Sequence, residues 1–309
     1  MNKKKLVNKH ISSIKGKPSP LTVILFILLL IYVIGLFIPF IWSFIVSFME
    51  YSDYRKIYVK SNDTIKNVSL LFGPTFNNFI KAWNTLPKTS GSSTYQLYEY
   101  FLNAILYAVG CATSITLASL IVGYATARFK FKLSGIIYNF VIVAITIPII
   151  GSTASELAVL RFLNIDDTIF SMFILRFNFL TLYYMMFYAQ FSTISKEYSE
   201  AAKIDGANNF KVMTRIIIPQ AKPLIVTVFI LNFVSYWNDF EIPILYIPSH
   251  PTVSYRIYEY LTVFQSGAKN VETPTQIAAT FIMCLPIILV FIFANKKMRL
   301  DVSMGGIKG

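Results

Sequence analysis

Residues able to act on another molecule are few in this sequence, and they fall into three groups. One is the stretch from Ser195 to Pro219, where Glu200-Ala201-Ala202, Asp205-Gly206 and Pro219 recur at regular intervals. A second is a set of ionisable residues inside otherwise apolar runs: Arg176, Asp239 and Glu241. A charge in such a setting is costly unless paired, so it points to an ion pair of Arg176 with Asp239 or Glu241, or to a direct role in a pathway. The third group surrounds Asp239. Asn232, Ser235 and Asp239 stand at i, i+3 and i+7, which places them on one helical face beside Tyr236, Trp237 and Asn238. Amides, hydroxyls and aromatic rings suit a hydroxyl-rich solute. Hydrogen bonding between helices would use the same residue types.

Several chemistries lack their components. With only His10 and His250, a histidine-based metal site or a Ser/His/Asp hydrolase has little to build on. Cys111 and Cys284 lie in apolar runs without metal-ligand spacing and read as small core residues. The Gly16-Lys17 pair has Ile11 where a phosphate-binding loop needs glycine and Pro18 where it needs Ser or Thr, so the chain is not expected to hydrolyse ATP. No catalytic residue and no metal site is expected.

The elements that must position these residues are apolar helices. Of the 309 residues, 55% are hydrophobic and only 14% charged, whereas a soluble domain is about 25% charged. Leu21 to Phe48, Phe101 to Ala127, Leu133 to Ser155 and Thr273 to Asn295 carry no charge. Thr168 to Ser195 carries only Arg176, and Pro223 to about Ile247 carries Asp239 and Glu241 near its far end. A run of about 18 or more such residues can cross a bilayer as a helix. The expected fold is therefore an all-α integral membrane protein with six transmembrane helices. Leu21 to Phe48 is too long for a signal-peptide core and reads as a retained span.

Charge distribution orients the bundle, because basic loops remain cytoplasmic. With the N-terminus inside, the inner side holds 18 Lys and Arg against 4 acids, and the outer side holds 9 against 11, counting Asp239 and Glu241 at the far end of the fifth run. The net charge of +13 is thus topological and does not imply nucleic acid. The expected organisation is a basic cytoplasmic N-terminus over 1–20, a transmembrane domain over 21–295 with an outer loop at 49–100, and a cytoplasmic tail over 296–309. In the outer loop, 77–83 has the pattern of a short amphipathic helix. A second outer segment, 248–272, reads as an aromatic-rich loop resting on the membrane surface or serving as a docking surface for another protein.

Between the fourth and fifth runs, 196–204 consists of good helix formers, and Gly206 is placed to take a left-handed conformation after them. Asn208 or Asn209 can cap a second short helix ending near Ile218, where Pro219 forces a boundary. The expected product is a helix, turn and helix on the cytoplasmic face, with Ala201 and Ala202 keeping its surface shallow enough for another protein to approach.

This segment resembles the signature of the permease subunits of bacterial ABC importers: Glu-Ala-Ala, three residues, Gly, nine residues, then Ile-x-Leu-Pro. Here Glu200-Ala201-Ala202 is followed by three residues, Gly206, nine residues from Ala207 to Arg215, and Ile216-Ile217-Ile218-Pro219, with Ile218 in place of the usual Leu. Resemblance to the carbohydrate, maltose-type branch extends further. It is carried by Asn103, the 124–129 run Tyr-Ala-Thr-Ala-Arg-Phe, Ile147-Pro148, Trp237-Asn238-Asp239-Phe240, and the glycine-rich ending Met304 to Gly309. Ser195 departs from the proline that many members carry there.

The resemblance implies that Glu200, Ala201, Ala202, Asp205, Gly206 and Pro219 belong to a segment that docks on a separate ATPase, and that Gly305, Gly306 and Lys308 contact the ATPase subunits. It further implies a cell-membrane permease that forms half of a pore with a second permease chain. Two ATPase subunits would bind ATP and Mg, and an external solute-binding protein would deliver a carbohydrate. An ABC importer for a non-sugar solute, an ion-coupled secondary transporter and a membrane enzyme stay open as alternatives. The last two are disfavoured by the absence of mid-membrane carboxylates and of buried acid pairs.

Overall fold

The computed structural model of the chain describes residues 19–59, 73–86, 95–129, 131–147, 151–265 and 272–302. Among these every regular element is helical. The chain divides into two compact units, Met1–Phe79 with Glu272–Ala278, and Ile80–Val271 with Ala279–Gly309.

In the first unit, helix α1 (Pro20–Ser47) begins where the Ser19 hydroxyl accepts the Thr22 N–H. Its last carbonyls would be orphaned, but the Asn78 amide donates to Ser47 O at 2.9 Å and Met49 O at 2.7 Å. Phe48 packs against Phe44, Phe76 and Phe79 at the same end. A short helix α2 (Tyr51–Tyr54) and a π turn follow, and Trp42 Nε1 donates to Tyr58 Oη at 2.9 Å. Helix α3 (Asn77–Thr85) forms where an amphipathic helix is expected.

The second unit is organised around α4 (Leu97–Arg128), which packs against α7 (Ile169–Arg176), α8 (Leu182–Thr193) and α12 (Lys222–Asn238). Two glycines allow close approach. A Cβ on Gly110 would lie 2.0 Å from the Phe173 ring, and one on Gly123 would lie 2.9 Å from Phe187 Cβ and 3.2 Å from Tyr188 N. The first obstacle is a ring that can swing away, whereas the second is fixed to the α8 backbone. Gly123→Ala is therefore expected to destabilise the protein by about 1–3 kcal/mol through forced separation of α4 and α8. Gly110→Ala should cost less, and thermal unfolding of the two variants in detergent checks the order.

Three of the six apolar runs are not the continuous helices expected. The run from Leu133 becomes α5 (Ser134–Thr146) and α6 (Thr153–Phe162), interrupted after Ile147, which is extended as a residue before proline must be, and at Gly151 with φ +84°. The next run splits into α7 and α8 where Asn178 Oδ1 takes the Leu180 N–H at 2.8 Å and draws the backbone out of the helical pattern. The run from Pro223 breaks at Asp239, whose carboxylate accepts the Ile242 N–H at 3.2 Å and so starts α13 (Glu241–Tyr246). Hydropathy counts apolar residues and is blind to these side-chain substitutions for backbone partners. Among the described residues, Pro20–Ser47 and Leu97–Arg128 are long and apolar enough to cross a membrane, and Asn209–Gln220 with Lys222–Asn238 makes a third if counted as one span bent by 73°.

Residues 253–265, anticipated as loop, form helix α14 (Val253–Gln265). Val253, Ile257 and Tyr260 are buried, and Arg256 Nε donates to Leu86 O at 2.8 Å. This helix packs on the end of α4 opposite Arg128. Tyr260 is buried and Tyr258, though 41% exposed, stacks on Phe240 at 4.2 Å, so part of the aromatic excess is spent on internal packing. The last helix, α15, spans Thr273–Val302.

Candidate functional site

The stretch from Ser195 to Pro219 folds into a short helix, a turn and a second helical stretch, packed through Ala202, Val212 and Ile217 against Tyr124, Phe187 and Phe191. Helix α9 (Glu197–Ile204) carries Glu197 and Glu200 in its first turn and Lys203 in its last, as the helix dipole favours. It stops at Gly206, whose φ of +82° lies in the left-handed region. The Gly206 N–H bonds Lys203 O at 3.0 Å and the Ala207 N–H bonds Ala202 O at 2.9 Å, satisfying carbonyls of the last turn. Asn208 is the cap of the following helix, α10 (Asn209–Val212), its Oδ1 accepting the Lys211 N–H at 2.8 Å.

Pro219 does not end this second helix. The backbone widens to a π turn over Met213–Ile217, in which the Ile218 N–H reaches Met213 O, and continues through α11 (Ile218–Gln220) before bending at Ala221. A π turn shifts the carbonyl that the proline ring would strike in a regular α-helix, which is why the boundary falls two residues late.

The two alanines face opposite ways. Ala202 is buried in a cluster with Tyr124, Phe191, Val212 and Ile217, so it fastens the segment to its own bundle and does not present a shallow outer surface. Ala201 is exposed. Around it the outer surface is apolar and uncovered: Tyr198 is 56% exposed, Ile204 86% and Phe210 67%. Glu200 and Asp205 flank this surface and are exposed.

Arg128 escaped the sequence reading as a site residue. Its Nη1 donates to Ile194 O at 2.6 Å, and its Nη2 donates to Ser199 Oγ at 2.7 Å and Ser195 O at 3.4 Å. The available signal was a basic run, Arg128, Lys130 and Lys132, which reads equally as an interface anchor closing the span.

The ionisable residues of the apolar runs assemble differently from the expected pair. Asp239 Oδ2 accepts the Tyr107 hydroxyl at 2.8 Å and Oδ1 accepts the Ile242 N–H. Arg176 lies over the Tyr236 ring, 5.7 Å from its centroid, and its Nε is buried without a hydrogen-bond partner. Among the described residues no carboxylate forms an ion pair with Arg176, and Glu241 is exposed. The aromatic ring occupies the face of the guanidinium in place of the acid.

Nor do Asn232, Ser235 and Asp239 form one open polar face. Asn232 is 4% exposed and its amide donates to Val228 O in its own helix. Trp237 is buried between Phe233 and Phe101, and its carbonyl accepts the Ser254 hydroxyl. The exposed stripe of α12 is instead Leu231, Ser235 and Asn238, at i, i+4 and i+7, with Tyr236 half-buried beside it. Gly305, Gly306 and Lys308 lie outside the described residues.

Residues 115–296 match the family described as binding-protein-dependent transport system inner membrane component. The trehalose/maltose transport system permease protein MalG of Thermococcus litoralis is 25% identical over 286 residues, covering 91% of this chain and 94% of the relative. The melibiose/raffinose/stachyose import permease protein MelC of Bacillus subtilis is 26% identical over 279 residues, or 88% and 92%. The diacetylchitobiose uptake system permease protein DasC of Streptomyces coelicolor is 26% identical over 286 residues, or 89% and 93%. A chain from the crystal structure of a bacterial ABC transporter involved in the import of the acidic polysaccharide alginate superposes with a TM-score of 0.68 at 19% identity, covering 91% of this chain and 99% of that one.

Proposed function

Because the chain belongs to the binding-protein-dependent transport system inner membrane component family, we propose that it forms half of the translocation pathway of an ABC importer for a di- or oligosaccharide. It is a permease and not a catalyst; ATP and Mg belong to two partner ATPase subunits. A second permease chain completes the pore and an external binding protein delivers the solute. The six apolar runs are six spans, three of them broken, with both termini cytoplasmic and the 196–220 segment on the cytoplasmic side.

The observation that carries this reading is the segment itself. Tyr198, Ala201, Ile204 and Phe210 form an uncovered apolar face on one side, while Ala202, Val212 and Ile217 lock the other side to α4 and α8. A partner that moves the outer face must move the bundle with it. ATP-driven closure of the ATPases then shifts the spans between inward-open and outward-open populations. The tail from Asp301 to Gly309 inserts between the ATPase subunits through Gly305, Gly306 and Lys308. Ser235 and Asn238 are the polar groups of the exposed α12 stripe and line the solute path.

The carbohydrate assignment draws on the sugars in the names of three relatives, each similar over about nine-tenths of this chain. Proteoliposomes holding this chain with its partner permease, ATPases and binding protein should take up labelled maltodextrin or galactoside oligosaccharides only with ATP on the ATPase side. Uptake driven by a proton or sodium gradient without ATP would establish a secondary transporter instead. ATP-driven uptake confined to a polyol or peptide would keep the importer and discard the sugar.

A further inference from the structure

We propose that Arg128 is a positioning residue that makes the end of α4 and the helix α9 one mechanical body, so that force applied to α9 reaches the central span directly. The inference rests on the reading of α9 as the segment an ATPase moves, and goes beyond it by naming the link.

Arg128 is the last residue of α4, where the negative end of the helix dipole favours a cation. Its guanidinium makes three contacts, all across the gap to the entry of α9: the carbonyls of Ile194 and Ser195 and the hydroxyl of Ser199. Ile194 and Ser195 connect α8 to α9, and Ser199 is in the first turn of α9 itself. One planar group therefore holds the connector and the helix at once, a geometry a lysine ammonium cannot copy.

Helix α9 begins with one weak side-chain cap, the Ser195 hydroxyl accepting the Glu197 N–H at 3.2 Å, while its cap residue Lys196 makes no side-chain cap bond. Arg128 only donates, so it holds the carbonyls and hydroxyl of this entry and not its N–H groups. Beneath the clamp, Tyr124 meets Phe129 and Phe191 edge to face at 5.8 and 5.5 Å, and Ile194 joins the same buried cluster. Packing holds α9 against the bundle through Ala202, and directional bonds add resistance to sliding at its entry. Burial of Ala202 in this cluster fixes which side of α9 faces the bundle, and three bonds from a charged donor add a directional restraint at its entry.

The test uses the complete transporter in proteoliposomes. Arg128→Met should leave membrane insertion and the amount of bound ATPase near wild type, while solute moved per ATP hydrolysed falls about tenfold or more, as expected for the loss of at least one charged hydrogen bond of coupling. Arg128→Lys, which can keep one carbonyl, should fall between, and Ser199→Ala should show the smallest loss. Spin labels at Lys132 and Lys203, both exposed, read the clamp directly. Their separation should stay fixed through the ATP cycle in wild type and broaden in Arg128→Met. If Arg128→Met does not assemble, the graded pair Arg128→Lys and Ser199→Ala decides, since normal transport per ATP in both overturns the proposal. It is also overturned by normal coupling and an unchanged label distance in Arg128→Met while Gly206→Pro remains uncoupled. Normal transport in Gly206→Pro would instead remove the underlying reading of α9.

Discussion

Gly206→Pro should abolish transport while the protein continues to insert and its ATPases continue to hydrolyse ATP. Gly206 has φ +82°, and nothing lies within 4 Å of a Cβ added there, so the position is constrained by backbone conformation and not by space. Proline fixes φ near −65° and deletes the N–H that bonds Lys203 O at 3.0 Å. The local penalty is about 3 kcal/mol or more, which corresponds to a roughly hundredfold loss of the docked geometry. Gly206→Ala keeps the N–H and meets only left-handed strain of about 1–2 kcal/mol, so it should retain part of the transport. Glu200→Arg is an independent route to the same phenotype, since it reverses the charge beside the apolar face without altering the backbone. Uptake in vesicles with parallel ATPase assays separates these outcomes, and normal uptake in both Gly206→Pro and Glu200→Arg would show that nothing is coupled through α9.

The other large effect is on stability, at Asp239. Its carboxylate takes the Tyr107 hydroxyl and the Ile242 N–H, and it is the acid of the Arg176–Tyr236–Tyr107 cluster. Asp239→Ala strands two donors and leaves the Arg176 charge without a nearby acid, at a cost of about 3 kcal/mol. That predicts a melting temperature lower by roughly 5–10 °C in detergent. Asp239→Asn keeps an oxygen for Ile242 and should lose less. Combining Asp239→Ala with Arg176→Leu should cost less than the sum of the single changes, because the second substitution removes the uncompensated charge. Strict additivity would mean that Arg176 and Asp239 do not interact, and that Tyr236 alone accommodates the guanidinium.

How far each feature could be read in advance follows from the range of the interaction that makes it. Short-range chemistry placed α9, the left-handed Gly206 and the Asn208 cap within a residue or so of where they lie, because capping and glycine conformation depend on neighbours in the chain. Apolar length likewise identified α1, α4 and α15 as long helices. Hydropathy did not reveal the breaks at Asn178 and Asp239, where a polar side chain takes over a backbone hydrogen bond.

Sequence by itself determined the membrane character, the apolar runs and the helix–turn–helix between the fourth and fifth of them, since these follow from composition and from contacts within a few residues. Only the tertiary structure decided which side of each helix is covered. It turned Ala202 and Asn232 inward, left Ala201, Ser235 and Asn238 outside, gave Arg176 an aromatic ring in place of a carboxylate, and set Arg128 against a helix entry some seventy residues along the chain. A helical period shows which residues share a face. What covers that face depends on helices distant in sequence, and their approach is fixed by packing at points such as Gly123 against Phe187.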